Sequence, residues 1–168
     1  KNYVSEEMEN KIRIERKQFW NRIKFSSGFN IDVSSHSIDN QEFRYNYQSN
    51  SLDTINFSSN VSIPRFGGYT QASNSFKDSR LIFSVGFRAD LAILSPDSVS
   101  PNNTMHSLSP RLSVSYAFAP EWTFNANAGI YNQLPSLTIL GHSKENRLGA
   151  VYTKCKQFVT GVKKEFKK

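Results

Sequence analysis

Arg80-Leu81-Ile82-Phe83-Ser84-Val85-Gly86-Phe87-Arg88-Ala89-Asp90 alternates along its length. Leu81, Phe83, Val85, Phe87, Ala89 and then Leu91 are apolar, while Ile82, Ser84, Gly86, Arg88 and Asp90 between them are mostly polar or tiny. A side-chain period of two predicts a β-strand with one apolar and one wet face. The run is long for a soluble protein, whose strands usually hold about 5–6 residues. A tilted strand needs about 10 residues to cross a bilayer. Either a protein core or lipid could therefore cover the apolar face.

Bulk properties narrow the choice. The chain has 168 residues, enough for one domain. Its hydrophobic content of 38% and mean hydropathy of −0.53 look soluble at first sight. No apolar run approaches the roughly 20 residues of a membrane helix. A β-barrel wall remains open, because half of its residues face a polar lumen and keep mean hydropathy low. Thirteen Phe and seven Tyr suit sheets and interfacial belts. The net charge is +7, but the cations cluster towards the two ends, from Lys11 to Lys24 and from Lys154 to Lys168. No compact basic motif is interleaved with stacking aromatics, so a nucleic-acid partner is not expected. The single cysteine, Cys155, forms no internal disulfide and reads as a small half-buried strand residue. The opening Lys1-Asn2-Tyr3 has no leader-like apolar stretch, which reads as a mature or excised segment.

The opening pattern recurs. Ile23, Phe25, Phe29, Ile31 and Val33 alternate with polar or small residues, as do Leu112, Val114, Tyr116 and Phe118, and then Trp122, Phe124, Ala126, Ala128 and Ile130. Weaker versions cover 8–16, 43–60, 65–76, 146–154 and 157–166. About nine strands and no helix are predicted, with the acidic start Glu6-Glu7-Met8-Glu9 read as strand or frayed end.

The connections are sorted by length. Phe118-Ala119-Pro120-Glu121-Trp122 and Phe76-Lys77-Asp78-Ser79-Arg80 read as tight turns. Long loops are expected at 95–109, 134–146 and 34–43. Short turns at one end and long loops at the other are the pattern of outer-membrane barrels. The strand from Leu81 should rise from the Lys77-Asp78 turn towards the loop at Ser95. The polar face from Leu81 to Tyr131 holds small neutral residues and few Lys or Glu. A soluble up-and-down barrel would reverse this, with an apolar inside and a charged outside. Trp122 at a strand start, with Tyr116 and Phe118 near a strand end, fits an aromatic girdle.

A resemblance accompanies these patterns. The run Phe66-Gly67-Gly68-Tyr69-Thr70-Gln71-Ala72 precedes the strand ending Gly86-Phe87-Arg88-Ala89-Asp90. Leu108-Ser109-Pro110-Arg111-Leu112-Ser113-Val114-Ser115-Tyr116, Pro120-Glu121-Trp122 and Gly129-Ile130-Tyr131-Asn132-Gln133-Leu134-Pro135 follow in order. Between Phe66 and Pro135 this order resembles the barrel of TonB-dependent outer-membrane receptors, with a Bacteroidetes-like flavour. The resemblance implies an all-β, antiparallel up-and-down transmembrane barrel. Residues 1–168 would supply about eight to nine strands of the roughly 22-stranded barrel. It also implies import of a siderophore, saccharide, peptide or similar nutrient across the Gram-negative outer membrane. The implied partners are lipid, the remaining strands and plug domain of the same receptor, the TonB energy-transducing complex and a surface lipoprotein. No enzyme activity and no cofactor are implied. The chain has no plug-like region, and its end at Glu165-Phe166-Lys167-Lys168 departs from the usual terminal aromatic, so an internal fragment is expected.

Few residues stand out as sites. Arg88 and Asp90, with Arg111 on the next strand, could contact an anionic substrate or the plug. A cross-strand charge ladder that fixes register is the plainer and favoured reading. Tyr131 and Gln133 lie at the outer end of a strand and could touch a ligand; an interfacial Tyr before a strand-ending Pro is the plainer alternative. His36, His106 and His142 fall in predicted loops without metal-ligand spacing. Two other architectures are consistent with length: a complete eight-stranded outer-membrane barrel of structural or adhesive role, and a soluble lipocalin-like binding module.

Overall fold

The computed structural model describes residues 2–47, 50–76, 80–94, 104–142, 146–147 and 149–166. Seven strands follow one another as β1 (Asn2–Trp20), β2 (Ile23–Asn46), β3 (Ser51–Phe76), β4 (Leu81–Ile93), β5 (Thr104–Ala119), β6 (Trp122–Gln133) and β7 (Thr153–Lys164). A short helix, α1 (Leu137–His142), lies between β6 and β7. Every strand pairs antiparallel with its sequence neighbour, giving one up-and-down sheet that curves into a half-barrel. No helix among the described residues is long and apolar enough to cross a membrane, which leaves strand crossings untouched.

Register divides the residues between two faces. Leu81, Phe83, Val85, Phe87, Ala89 and Leu91 of β4 stand beside Tyr116, Val114, Leu112, Pro110, Leu108 and His106 of β5. Successive strand residues point to opposite faces, so these apolar pairs share the outer, convex face. Phe87 is 50% exposed there, although it is among the most hydrophobic side chains of the sheet. Ser84, Arg88 and Asp90 share the inner face with Tyr69, Gln71 and Ser73 of β3. At the short-turn end Trp20 and Trp122 are both exposed. The Phe118 and Trp122 rings lie 6.3 Å apart, and Lys164 Nζ stands 5.0 Å from the Trp122 ring centre. Aromatics and lysines of this kind line the edge of a membrane, where one end of the side chain is apolar and the other wet.

Several boundaries differ from expectation. The sheet has seven strands, because weak segments fuse into fewer, longer ones. The loop expected at 34–43 is strand: β2 and β3 hold 24 and 26 residues and pair from Ile23↔Asn74 to Asn46↔Ser51. At about 3.3 Å per residue such a hairpin runs far past a 30 Å hydrocarbon layer. From Ser34 to Glu42 the sole apolar residue is Ile38, so no alternation marks this part of β2 as strand. The Lys77-Asp78-Ser79 turn lies outside the described residues; the strands it joins pair as far as Phe76↔Leu81. Much of the loop expected at 95–109 also lies outside them, and its last six positions, Thr104–Ser109, belong to β5. Of the expected strand at 146–154, residues 146–147 are helical, 149–152 are turn and coil, and the last two positions begin β7.

The loop expected at 134–146 contains α1, whose start is capped by Ser136: its carbonyl accepts from the Ile139 and Leu140 amides at 3.1 Å. Six residues are too few for a helical period to register. The helix packs on the inner face at the long-loop end. There Leu140 is buried against Val61, Ile63, Ala92, Leu94 and Met105, with Leu134, Leu137, Ala150 and Tyr152 around them. Ser59 Oγ donates to the Gly141 carbonyl, and the His142 ring stands 5.2 Å from Phe57. The apolar cluster thus covers the inner wall at its outer end and leaves the wall below it polar.

Candidate functional site

The inner wall below α1 is ordered in rungs that cross the strands. The upper rungs carry a lattice of charges. Lys11, Asp32, Arg65 and Ala92 lie side by side on β1 to β4. Arg65 reaches Glu9 at 2.8 Å and Asp32 at 3.8 Å, and Lys11 stands 3.3 Å from Glu9 and 3.8 Å from Asp32. Asp32 is nearly buried, and Asn30 Nδ2 donates to its Oδ2 at 2.9 Å. A buried carboxylate is costly unless paired and hydrogen-bonded; here two cations at 3.8 Å and the Asn30 amide offset part of that cost, and Asp32 Oδ1 is left without a hydrogen-bond partner among the described residues. Arg88 continues the lattice: Nε donates to Asp90 Oδ2 at 2.8 Å and Nη2 to Asp90 Oδ1 at 2.5 Å, with Asn30 Oδ1 at 3.3 Å.

Two glycines make room for this lattice. A Cβ on Gly67 would lie 2.5 Å from Asn30 Oδ1, 2.6 Å from Asp90 Oδ1 and 2.8 Å from Arg88 Nη2. Gly28 pairs with Tyr69, and the tyrosine ring folds over the bare glycine. The Tyr69 hydroxyl donates to Glu15 Oε1 at 2.5 Å, and the Arg13 guanidinium, which also pairs with Glu15, stands 5.6 Å from the Tyr69 ring centre. An aromatic laid over a cross-strand glycine is a register device of twisted sheets.

Of the residues singled out from sequence, Arg88 and Asp90 meet each other, and Arg111 meets Tyr131. Arg88 and Asp90 form a pair within one strand, so the expected ladder between strands is made instead by Glu9, Lys11, Asp32 and Arg65. Arg111 pairs with Gly86 and Gly129 in register, not with Asp90, and its guanidinium stacks 4.6 Å from the Tyr131 ring centre. Gln133 lies exposed at the outer end of β6 beside Thr153, away from these groups. The histidines leave their expected loops: His36 is buried in β2, His106 is on the outer face of β5, and His142 ends α1. Cys155 is exposed on β7, the last strand of the sheet.

Sequence reasoning missed Asp32, one polar residue among several on its alternating strand, and Arg65, which sits in a weakly alternating segment. It also missed Tyr152, whose phenol is raised above its ordinary value chiefly by burial and then by the charge of Asp90. Tyr152 packs against the apolar cluster under α1, with its buried hydroxyl lacking a hydrogen-bond partner among the described residues. Among the described residues, no three His, Cys, Asp or Glu side chains come together to hold a metal ion.

Below the lattice the inner face opens into a hollow of about 620 Å³ between β1 and β6. Lys17, Lys24, Gln71, Arg88, Arg111 and Tyr131 are among its lining residues. Polar inside and apolar outside along one continuous up-and-down sheet, this wall has the polarity of a membrane barrel and the reverse of a lipocalin. The family model described as TonB dependent receptor-like, beta-barrel, matches residues 3–144. The chain belongs to the TonB-dependent receptor β-barrel family. The match extends well beyond 66–135 and takes in β1, β2 and α1. Comparison with curated proteins finds no match. TonB-dependent receptors are nutrient transporters of the outer membrane, with a plug domain and a TonB interaction, and are not enzymes. In this receptor barrel β7 lies beyond the matched residues but continues the sheet, paired with β6 from Trp122↔Lys164 to Gln133↔Thr153.

Proposed function

We propose that this chain is part of the wall of an outer-membrane importer that takes up a siderophore, saccharide, peptide or similar nutrient. The outer face of β4 to β6 lies against lipid, and the inner face encloses a plug domain through which the TonB complex supplies energy. A surface lipoprotein that delivers the nutrient fits the long-loop end. The observation that carries this reading is the pairing pattern. Among the described residues β1 and β7 each pair on one side only. Open sheet edges do not face hydrocarbon, because every backbone group there needs a partner. Further strands must therefore close the sheet, which favours a larger receptor barrel over a complete small one. Arg88 and Asp90 act as wall lattice in this reading, Arg111 and Tyr131 face the plug or a passing ligand, and Gln133 belongs to the outer ligand-capturing end.

The test is uptake by cells in which the intact receptor is the sole route for its nutrient. Uptake is expected to stop when TonB is deleted or the inner-membrane proton gradient is collapsed, with the receptor still present in the outer membrane. Uptake that continues undiminished under both treatments contradicts the reading.

A further inference from the structure

Charge on the inner wall is balanced at one level and unbalanced at another. In the lattice rungs the cations have carboxylates: Lys11 and Arg65 have Glu9 and Asp32, Arg88 has Asp90, and Arg13 has Glu15. In the lower rungs Lys17, Lys24 and Arg111 have no carboxylate within 4.0 Å among the described residues. All three line the hollow, which carries five cationic side chains and a single carboxylate, Glu15.

Register fixes where these cations stand. One rung crosses all seven strands as Lys17, Ser26, Gln71, Gly86, Arg111, Gly129 and Gln157. Lys17 and Arg111 are therefore four strand spacings apart, roughly 19 Å along the sheet. Lys24 lies on the next rung towards the short turns, beside Phe19 and Ser73. Between the cations the floor is built of Ser26, Ser73, Ser84 and Gly86. Small residues let another body approach the backbone closely. Two of the three cations are held in place, since Arg111 is stacked on Tyr131 and Lys24 Nζ is 5.9 Å from the Phe19 ring centre.

We infer that the hollow is covered by a polypeptide surface bearing several carboxylates, the plug face that abuts β1 to β5, with Asp or Glu opposite Lys17, Lys24 and Arg111. This rests on the reading of the chain as a wall around a plug. The width of the cationic field favours a polypeptide over a small anion, because no single phosphate or carboxylate spans three groups spread over five strands. The Ser and Gln floor offers hydrogen bonds to a second polypeptide surface, and cations enclosed in a lumen are costly until a carboxylate meets them. The lattice needs no such partner, since its four cations meet four carboxylates.

The test uses the full-length receptor in native outer membranes and has two arms. A photo-crosslinking amino acid at Gln71 reports whether any polypeptide covers the hollow. A water-soluble carbodiimide, which joins a lysine Nζ to a carboxylate as an amide, reports whether that surface is acidic. The expected result is capture of plug peptides in the first arm. In the second, amides should join Lys17 or Lys24 to plug Asp or Glu residues and fall to background in the Lys17→Arg, Lys24→Arg double variant. Plug capture without amides overturns the inference and leaves the wall-and-plug reading standing. Capture of no polypeptide in either arm overturns both, and a soluble anion becomes the occupant of the hollow.

Discussion

Val85→Arg is expected to destabilise the assembled barrel by about 2–4 kcal/mol, the cost of a cationic side chain facing lipid near the midplane. Val85 lies midway along the outer face of β4, between Phe83 and Phe87, with Leu112 opposite on β5 and Ala72 opposite on β3. An arginine there has no carboxylate on that face within reach of its fork. It would have to reach far along the strand to find a wet interface. Ser115→Arg provides the internal control. Ser115 stands one residue from Val114 on the neighbouring strand but on the inner face, partly exposed and outside the lining of the hollow. Its replacement is expected to change stability by about 0.5 kcal/mol or less, as for a substitution at a wet surface. Denaturant titration of the intact receptor in lipid vesicles, followed by tryptophan fluorescence, measures both. Equal effects at the two positions contradict the division of the faces.

Gly67→Val is expected to cost about 2–4 kcal/mol, because it displaces charge-assisted hydrogen bonds and leaves a half-buried ion pair without its geometry. The new side chain would occupy the space where Arg88, Asp90 and Asn30 converge. These side-chain ends can swing away, so the strands survive, but the bonds that link β2 to β4 across Gly67 do not. Gly68→Val, one residue on, points to the opposite face. A Cβ there meets only the Gly28 carbonyl, at 4.0 Å. That substitution is expected to be neutral or slightly stabilising, since a β-branched residue suits a strand better than glycine. The same titration checks both variants, with the heat-induced gel mobility shift of the folded barrel as a second readout. Similar losses at the two glycines would mean that backbone freedom, and not room for the charge lattice, is what Gly67 supplies.

The parts of the fold legible in sequence are those where one face is apolar and the other is not. β4, β5 and β6 alternate cleanly, so their faces and the tight turn through Pro120 follow from residue order alone. The long β2–β3 hairpin was hidden because β2 carries one apolar residue, Ile38, between Ser34 and Glu42, and its buried inner positions there include Ser34 and His36, so the stretch reads as a loop. Helix α1 was hidden by its length, although Ser136 after Pro135 is a usable start signal. For the site, Arg88 and Asp90 stood out because charges are rare along the polar face of β4. Their partner Asn30 and the neighbouring Asp32–Arg65 contact depend on register between distant segments, which no local pattern carries. Gly67 and Gly28 could be noticed in the sequence, but the Tyr69 ring and the ion pair that need them appear only once the strands are set side by side.

Both substitutions rest on the claim that the odd-numbered residues of β4 face lipid and the even-numbered ones face a polar lumen. Spin labels placed singly from Leu81 to Leu91 in the membrane-embedded receptor test this most directly, through collision with oxygen, which concentrates in hydrocarbon, and with a water-soluble nickel chelate. Oxygen accessibility is expected to alternate with a period of two, high at 81, 83, 85, 87, 89 and 91 and rising towards Val85 and Phe87, with nickel excluded from those positions. High nickel accessibility at the odd positions, or exclusion of both reagents there as in a protein core, would contradict a membrane-facing wall.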